Sequence, residues 1–317
     1  MDKEKLKKLT GGWIPSEMNG TEYKYSTVSK NSKNTAELPL SFRLWTSGVK
    51  NQVDKGTCVA HALTSLKEIQ DYYDTKSVEK YSTSWIYLVR KLNQYKGEGM
   101  IMKEALSNLK DTGVVPYSML PGNIEYSDGK VVGYKASADE EMQKEAFKHR
   151  ISSYVLTTSK DDIKKALYYD HSPVAIGVNV YESFFDTDDN GIVAIPDEAS
   201  ETLYGGHAMI IIGWITIGST EYWVVQNSWG ETWGDNGFCY FDINKFPIRE
   251  KWTSIDLEDN PCNLIDIQGR WSQEYIEKCV RAGLITGFED NTFKPTDAIT
   301  REQFCTVMWK LLDKVTK

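Results

Sequence analysis

The sequence predicts an α+β fold with a small helical unit appended, and three observations carry that reading. Apolar residues recur at helical spacing between Cys58 and Gly113. From Pro173 the chain turns to short apolar runs separated by Gly, Asp and Asn, the mark of strands and turns. Near Asn263 helical spacing returns. Helices in one half and strands in the next favour segregated layers over the alternating units of a parallel sheet.

Taken in order, residues 1–37 are polar and rich in Lys, Ser, Thr and Asn, and "STVSKNSKNTAE" (Ser26 to Glu37) reads as a linker or mobile arm. "GGWIPS" (Gly11 to Ser16) is an apolar island within it. The folded body starts at "LPLSFRLW". Ala62, Leu63, Leu66, Ile69 and Tyr73 share one face of a helix over about Cys58–Tyr73. "STSWIYLVRKLNQY" and "MIMKEALSNLKDTG" continue the helical pattern, the latter closed by Gly113 with Pro116 beyond. Residues 114–160 are mixed, and "KDDIKKALYYD" is a short amphipathic helix. "PVAIGVNV", "HAMIIIGWI", "EYWVVQNSW" and "GFCYFDI" are the strands. The expected division is an arm over 1–37, a main domain over 38–258 and a small module over 259–317. In the module, "WSQEYIEKCVRAG" and "REQFCTVMWKLLDK" are helical, and Thr300 with Gln303 forms a capping-box pattern. Phe304, Val307, Met308 and Leu311 share one face. At about 55 residues the module is small for an independent core, so it is expected to pack on something or on copies of itself.

The chain of 317 residues carries a net charge of −8, which argues against nucleic acid as the main partner. The cluster Lys3, Lys5, Lys7, Lys8 is too small to change that. No run is long enough to span a membrane, and no signal peptide is visible at the N-terminus. The five cysteines, Cys58, Cys239, Cys262, Cys279 and Cys305, show no CxxC spacing, so no metal site and no cofactor is expected. "DTDDNGIVAIPD" (Asp186 to Asp197) has the acidic spacing of a calcium loop. It ends in Asp, contains Pro196 and lacks flanking helices, so a hairpin turn is the better reading.

The chemistry gathers around "NQVDKGTCVAHALTSL". Cys58 falls at the start of a helix, where unpaired N–H groups and the dipole favour a thiolate. Gly56 clears space before it, and Gln52, six residues upstream, can aim an amide at a developing oxyanion. A lone cysteine is more often buried and inert. His207, after two glycines in "YGGHAMIIIG", supplies a candidate general base and acid. Asn227, in "VVQNSWGETWGDNGF", can fix the imidazole's tautomer, and Trp229 can shield that bond from water.

Together these segments resemble the papain family of cysteine proteases. "VKNQVDKGTCVAHAL" is similar to the family's nucleophile segment, "GGHAMIIIGW" to its histidine strand and "YWVVQNSWGETWGDNGF" to its asparagine segment. The resemblance covers about residues 38–255. It implies a two-lobed fold, one lobe helical and the other an antiparallel, barrel-like sheet. It implies peptide-bond hydrolysis through a thioester, with Cys58 as nucleophile, His207 as base and acid, Asn227 as orienting residue and Gln52 with the Cys58 N–H as oxyanion donors. Gly99 matches a position that contacts the substrate backbone. Gly177, Gly205 and Ala208 match positions lining the pocket for the second residue before the scissile bond, and their small size suggests a roomy, apolar pocket. Trp229 is grouped with the substrate cleft. Val59, His61 and Lys55 depart from the plant and animal pattern, Lys55 standing where a disulfide cysteine is usual. The loop resembles prokaryotic members. His61, one helical turn past Cys58, could contact the thiol. The arm resembles a short propeptide, with "GGWIPS" in or near the cleft and a maturation cut between about Lys30 and Leu38.

"IDIQGRWSQEYIEKCVRAGLITGFEDNTFKPTDAITREQF" resembles an S-layer homology module of bacterial surface proteins. The resemblance implies attachment to cell-wall polysaccharide, with Trp271, Asp290 and Arg301 as candidate contacts, and a place at the cell surface. Core packing, turn chemistry and a structural ion pair are the plain alternatives for these three. A single copy suggests oligomerisation or another use. A surface-assembly protein on an idle protease scaffold is the competing reading of the whole chain.

Overall fold

The computed structural model describes residues 9–90, 98–121, 125–127, 130–132, 139–255, 264–267, 269–281, 284–288, 290 and 292–315. The lysine cluster at Lys3–Lys8, Cys262 and the expected 258/259 junction lie outside them. The chain divides into two compact units, Met1–Ile255 and Asp256–Lys317.

In the first unit, helix α2 (Cys58–Thr75) follows the short arm helix α1 (Tyr25–Val28) and ends where Lys76 turns left-handed, φ 57°, donating its N–H to the Tyr72 carbonyl. Helix α2 runs two residues beyond the expected Tyr73. Helices α3 (Thr83–Leu88) and α4 (Met102–Asp111) pack on it, with strand β3 (Met100–Ile101) leading into α4. All three helices sit where periodicity expects them; α4 buries one apolar face, through Met102, Ala105, Leu106 and Leu109, whereas α2 is buried all round from Cys58 to Gln70.

The second half is a seven-stranded sheet. Strands β6 (Ser153–Leu156), β7 (Val174–Tyr181), β8 (Leu203–Ile217), β9 (Thr220–Gln226), β10 (Phe238–Asp242) and β11 (Glu250–Ile255) lie in the order β10-β9-β8-β7-β11-β6. Strand β2 (Phe42–Arg43) adds antiparallel to β8. The pairings within this sheet are antiparallel. The register sets Gly177 opposite Ala208, Val178 opposite His207, and Glu250 opposite Gly177. Helix α2 packs against β7 and β8, so the start of the helix and the start of β8 meet. Helix α6 (Lys160–Tyr169) opens with a full capping box from Ser159 and Asp162. The mixed stretch also holds strands β4 (Glu125–Ser127) and β5 (Lys130–Val132) and helix α5 (Asp139–Lys148).

Two expectations need correction. The segment after the apolar island is docked rather than a mobile linker. Tyr25 is buried, and its hydroxyl donates to the Asp170 carboxylate at 2.6 Å. Ser29 Oγ donates to the same group at 3.0 Å, and so does Asn31 Nδ2. Residues that read as solvated are polar here because they converge on one carboxylate. Residues 186–197 do not form a hairpin either. Asp188 caps a turn at Gly191, and the chain then lies along β10: Val193 donates to the Tyr240 carbonyl and Tyr240 to that of Gly191. The buried Val193 anchors it there.

In the second unit, helices α7 (Gln273–Arg281) and α8 (Arg301–Val315) flank a loop tied by Asp266, whose carboxylate accepts the Phe293 and Lys294 N–H groups at 2.7 Å each. The capping box at Thr300 is formed in both directions. Thr300→Ala is expected to cost about 1 kcal/mol of this unit's stability, checked as a lower melting midpoint of its transition in the full chain. Phe304, Met308 and Leu311 on α8 are exposed.

Candidate active site

Cys58 opens α2 and is fully buried. Burial pushes its thiol up to about 12, against backbone N–H groups of Ala208, Val59 and Cys58 itself that pull it down. The sequence favours a lowered thiol here; the structure reverses that, because the site is covered and desolvation outweighs the helix terminus. His207 lies on β8, directly before Ala208, and its Nε2 meets Asn227 Oδ1 at 2.7 Å. Its Nδ1 is buried and has no hydrogen-bond partner among the described residues. Burial lowers the imidazole to about 4, with the Asn227 bond opposing and the charge of His61 adding to the fall. Burial thus disfavours the charged form of each group.

Asn227 follows β9, and its Oδ1 also accepts the Ser228 N–H at 2.7 Å, which fixes the amide. Trp229 is buried, with its ring centroid 4.7 Å from that of His207. It packs against the imidazole, where it can shield the Asn227 bond from water. The Gln52 amide is held from both ends. Its Oε1 accepts from Ser228 Oγ at 2.6 Å, while Nε2 donates to Lys55 O at 2.8 Å and reaches Leu9 O at 3.4 Å. His61 is buried in α2, and its Nδ1 meets the Thr57 carbonyl at 3.0 Å, one turn back on its own helix.

What covers the site is the arm. Gly11 N–H donates to Gly206 O at 2.9 Å, Thr10 Oγ1 to Tyr204 O at 2.9 Å, and Met100 N–H to Gly12 O at 3.0 Å. Strand β1 (Trp13–Ile14) then pairs in parallel with β3. A Cβ on Gly12 would lie 2.7 Å from Cys58 Sγ, so only glycine passes the nucleophile at this distance. The carbonyl near Gln52 belongs to Leu9, three residues before the residue at the sulfur. The segment thus covers nucleophile and oxyanion donor without offering one carbonyl to both.

Trp13 fills the pocket beside the nucleophile. A Cβ on Gly177 would fall 2.1 Å from its indole, and one on Gly206 2.7 Å from it. Gly205 faces the Gly11 backbone. The walls are small, as expected, but the pocket is not apolar. Glu250, from β11, is its floor: Oε2 accepts Trp13 Nε1 at 2.9 Å. Gly99 forms the cleft's other edge with φ 104°, and a Cβ there would strike Gly11 O at 2.8 Å. Its N–H donates to Tyr87 Oη at 2.9 Å and its carbonyl accepts from Arg90 Nη1 at 2.6 Å, the guanidinium lying 4.1 Å over the Tyr87 ring. Tyr87, Arg90 and Glu250 carry no motif signal of their own, whereas Ser228 sits inside the asparagine segment. The alternation of "REKWTSI" is the one sequence pattern that flags Glu250 as an inward-facing charge on a strand.

In the second unit, Trp271 is 89% exposed and Arg301 starts α8. The Asp290 carboxylate accepts from Thr292 Oγ1 at 2.6 Å and from its N–H at 3.0 Å, and these bonds lower its pKa. That is turn chemistry.

The family model "Papain family cysteine protease" matches residues 42–255, and "S-layer homology domain" matches residues 266–305. The chain is 29% identical over 169 residues to a cathepsin B-like cysteine proteinase of Caenorhabditis elegans, covering 51% of this chain and 42% of that protein. It is 27% identical over 209 residues to a cathepsin L-like proteinase of Fasciola hepatica, covering 62% and 57%. It thus spans about half the length of these relatives. Among solved structures, xylellain, a cysteine protease from Xylella fastidiosa, superposes with a TM-score of 0.66 at 22% identity over 79% of this chain and 97% of that one. Procathepsin B S9 of Trypanosoma congolense superposes at 0.61 and 18% identity, over 80% and 88%. At these identities the structures speak to the fold, which is papain-like. A helical layer and an antiparallel sheet that meet at Cys58 and His207, together with a family match over most of the chain, place this protein in the papain family of cysteine proteases, with an S-layer homology domain following.

Proposed function

We propose that the chain is a latent cysteine endopeptidase, held closed by its own N-terminal arm over 1–37 and associated with the bacterial cell surface through its C-terminal unit. The observation that carries this reading is the Cys58–His207–Asn227–Gln52 set with Gly11–Trp13 lying across it. With the cleft open, His207 Nδ1, now rehydrated, takes the Cys58 proton. The thiolate attacks the scissile carbonyl, whose oxygen is received by Gln52 Nε2 and the Cys58 N–H. The imidazolium returns its proton to the departing amine, leaving a thioester that water hydrolyses. Gly99, held by Tyr87 and Arg90, aligns the substrate backbone, and Gly177, Gly205 and Ala208 leave room for its side chain. The geometry of the His207–Asn227 pair disfavours an idle scaffold.

The test has two readouts. A thiol-directed epoxide is expected to label Cys58 stoichiometrically once the arm is cut, and the cut protein is expected to hydrolyse peptides. Absence of both sinks the enzyme reading. Sequencing the new N-terminus locates the cut, expected between Lys30 and Leu38. Asn227→Ala is expected to lower kcat about tenfold to a hundredfold without abolishing turnover, since the histidine loses its orienting partner and keeps its chemistry.

Acidity is expected to open the arm. His207 is held near 4 in the closed state against an ordinary value of 6.5. A depressed pKa means the closed state resists protonation, so its advantage is full above about 6.5 and falls as pH drops from 6.5 toward 4, by at most about tenfold per pH unit. Exchange protection of the Gly11 and Met100 amides, corrected for intrinsic rates, is expected to fall across that window and to do so less in His207→Gln.

For the C-terminal unit, cell-wall polysaccharide is the proposed ligand, with exposed Trp271 and Arg301 as contacts and Asp290 shaping the loop. The exposed Phe304, Met308 and Leu311 are suited to association with further copies. Pull-down of the chain on wall glycan, lost in Trp271→Ala, supports this.

A further inference from the structure

Helix α4 carries two lysines along the flank that the arm crosses. Lys103 and Lys110 are two helical turns apart, so they stand on one face about 10 Å from each other along the axis. With Ser153, Tyr154 and Trp252 they line a cavity of about 200 Å³, which arm residues Thr21–Tyr23 close. The Lys103 ammonium donates to the Glu22 carboxylate at 2.6 Å and reaches the Glu17 carbonyl at 3.5 Å. Among the described residues, both of these partners belong to the arm. Its backbone N–H is bonded to the arm as well, donating to Ser16 Oγ at 3.1 Å. Lys110 forms no ion pair among the described residues. Glu22 is held as an anion there. The Asn19 and Gly20 N–H groups donate to it at 2.9 Å each, and Lys103, with Asn19 after it, lowers its carboxyl to about 2. Just beyond, the Leu156 N–H of β6 donates to the Tyr23 carbonyl at 2.8 Å, and Lys24 bridges Leu156 in parallel.

When the arm leaves, α4 keeps two cations without their anion and β6 keeps an edge N–H without its carbonyl. The lysines call for carboxylates, since charge-assisted bonds are the stronger kind. The strand edge calls for an extended backbone, so the groove suits a peptide. Its place relative to the cleft sets which peptide. Gly12 passes Cys58, Trp13 fills the pocket for the second residue before the scissile bond, and Ser16 to Glu22 then lead away to Lys103. A substrate seated in the Trp13 pocket leaves the cleft by the same exit, through the residues that precede its scissile bond. We propose that the groove between α4 and β6 is a binding site for acidic peptide segments, in which Lys103 and Lys110 receive carboxylates lying several residues upstream of the bond to be cut. Glu22 occupies in the closed chain the place that a substrate carboxylate takes in the open one. The use of the groove by substrates rests on the protease reading above; its affinity for acidic peptides does not.

The experiment uses the full chain carrying Trp13→Ala and Glu22→Gln, which loosens the arm and removes the carboxylate that competes for Lys103. Two peptides are compared, identical over the residues that meet the cleft and preceded by four glutamates in one and four glutamines in the other. Binding is read by fluorescence anisotropy with Cys58→Ala added, so that neither peptide is cut. In about 50 mM salt the glutamate peptide is expected to bind about tenfold more tightly, and the ratio is expected to fall toward one in about 500 mM salt. Adding Lys103→Gln and Lys110→Gln is expected to bring the ratio to one or below in low salt too. With Trp13 and Glu22 restored, the glutamate peptide is expected to bind about tenfold more weakly than in the opened chain, because the arm holds the groove. Equal binding of the two peptides, or a glutamate preference that survives loss of both lysines, overturns the proposal. Fluorogenic versions of the peptides, with Cys58 intact, give the second readout. The kcat/KM ratio is expected to follow the binding ratio, with the difference in KM and kcat alike for both. Each ratio is internal to one protein, so partial misfolding of a variant does not disturb it. Cleavage of both peptides with equal KM overturns the assignment of the groove to substrates. If binding follows the charges and neither peptide is cleaved, the acidic-peptide site stands and the protease reading falls.

Discussion

Cys58→Ala is expected to abolish peptide hydrolysis, with kcat falling by about 10⁴-fold or more, while melting and far-UV spectra stay close to the parent. The large kinetic effect follows from covalent catalysis, since no neighbouring group can take the sulfur's place in forming the acyl intermediate. The small structural effect follows from the site. The thiol is fully buried beside Gly12 and bonded to backbone N–H groups, and alanine removes one atom from that slot. Hydrolysis by the alanine protein after its arm is cut would sink the assignment. A chain that merely failed to fold would show in the spectra and is thereby told apart.

The second large effect belongs to Trp13→Ala in the uncut chain. Truncating a buried tryptophan costs about 3–5 kcal/mol where the surroundings do not collapse. Gly177 and Gly206 have no side chains with which to close the gap, and the Glu250 bond is lost as well. Some of the arm's remaining hold survives through Thr10, Gly11, Gly12 and the Asp170 cluster. The open population of the arm is therefore expected to rise by about 10²–10⁴-fold, read as the rate of Cys58 alkylation relative to the parent. An unchanged rate would show that Trp13 does not hold the arm closed.

The strong signals in the sequence came from local rules. Helix α2 announces itself because its apolar positions repeat at one period and its start is marked by Gly56 and Thr57. The strands β7 to β10 are legible because each is a short apolar run between turn residues. Cys58, His207, Asn227 and Gln52 are legible because each sits beside such a landmark. The pocket floor was not, since Glu250 is a charged residue on a short strand and only the β11–β7 register puts it under Gly177. Small walls suggested an apolar slot because wall positions say nothing about the floor. The arm misled for a related reason. A run of Ser, Thr, Asn and Lys looks the same whether water or a single distant carboxylate satisfies it, and Asp170 lies more than a hundred residues away. The thiol's raised pKa depends on the arm lying over it, a fact of tertiary contact that no helix-terminus rule contains.

The position of the Asp170 cluster bears on what severing the chain achieves. Tyr25 and Ser29 lie between the cleft segment and the expected cut, and Asn31 at the start of its window, so a single cleavage after Asn31 breaks none of their bonds. What it changes is molecularity. Before the cut the arm is tethered and meets the cleft at a high effective concentration; afterwards it is a separate peptide whose occupancy falls with its own dilution. Activity released by such a cut grows as the solution is diluted or as the freed peptide is itself digested. A crowded surface on which many copies are cut together would keep its own inhibitor close at hand.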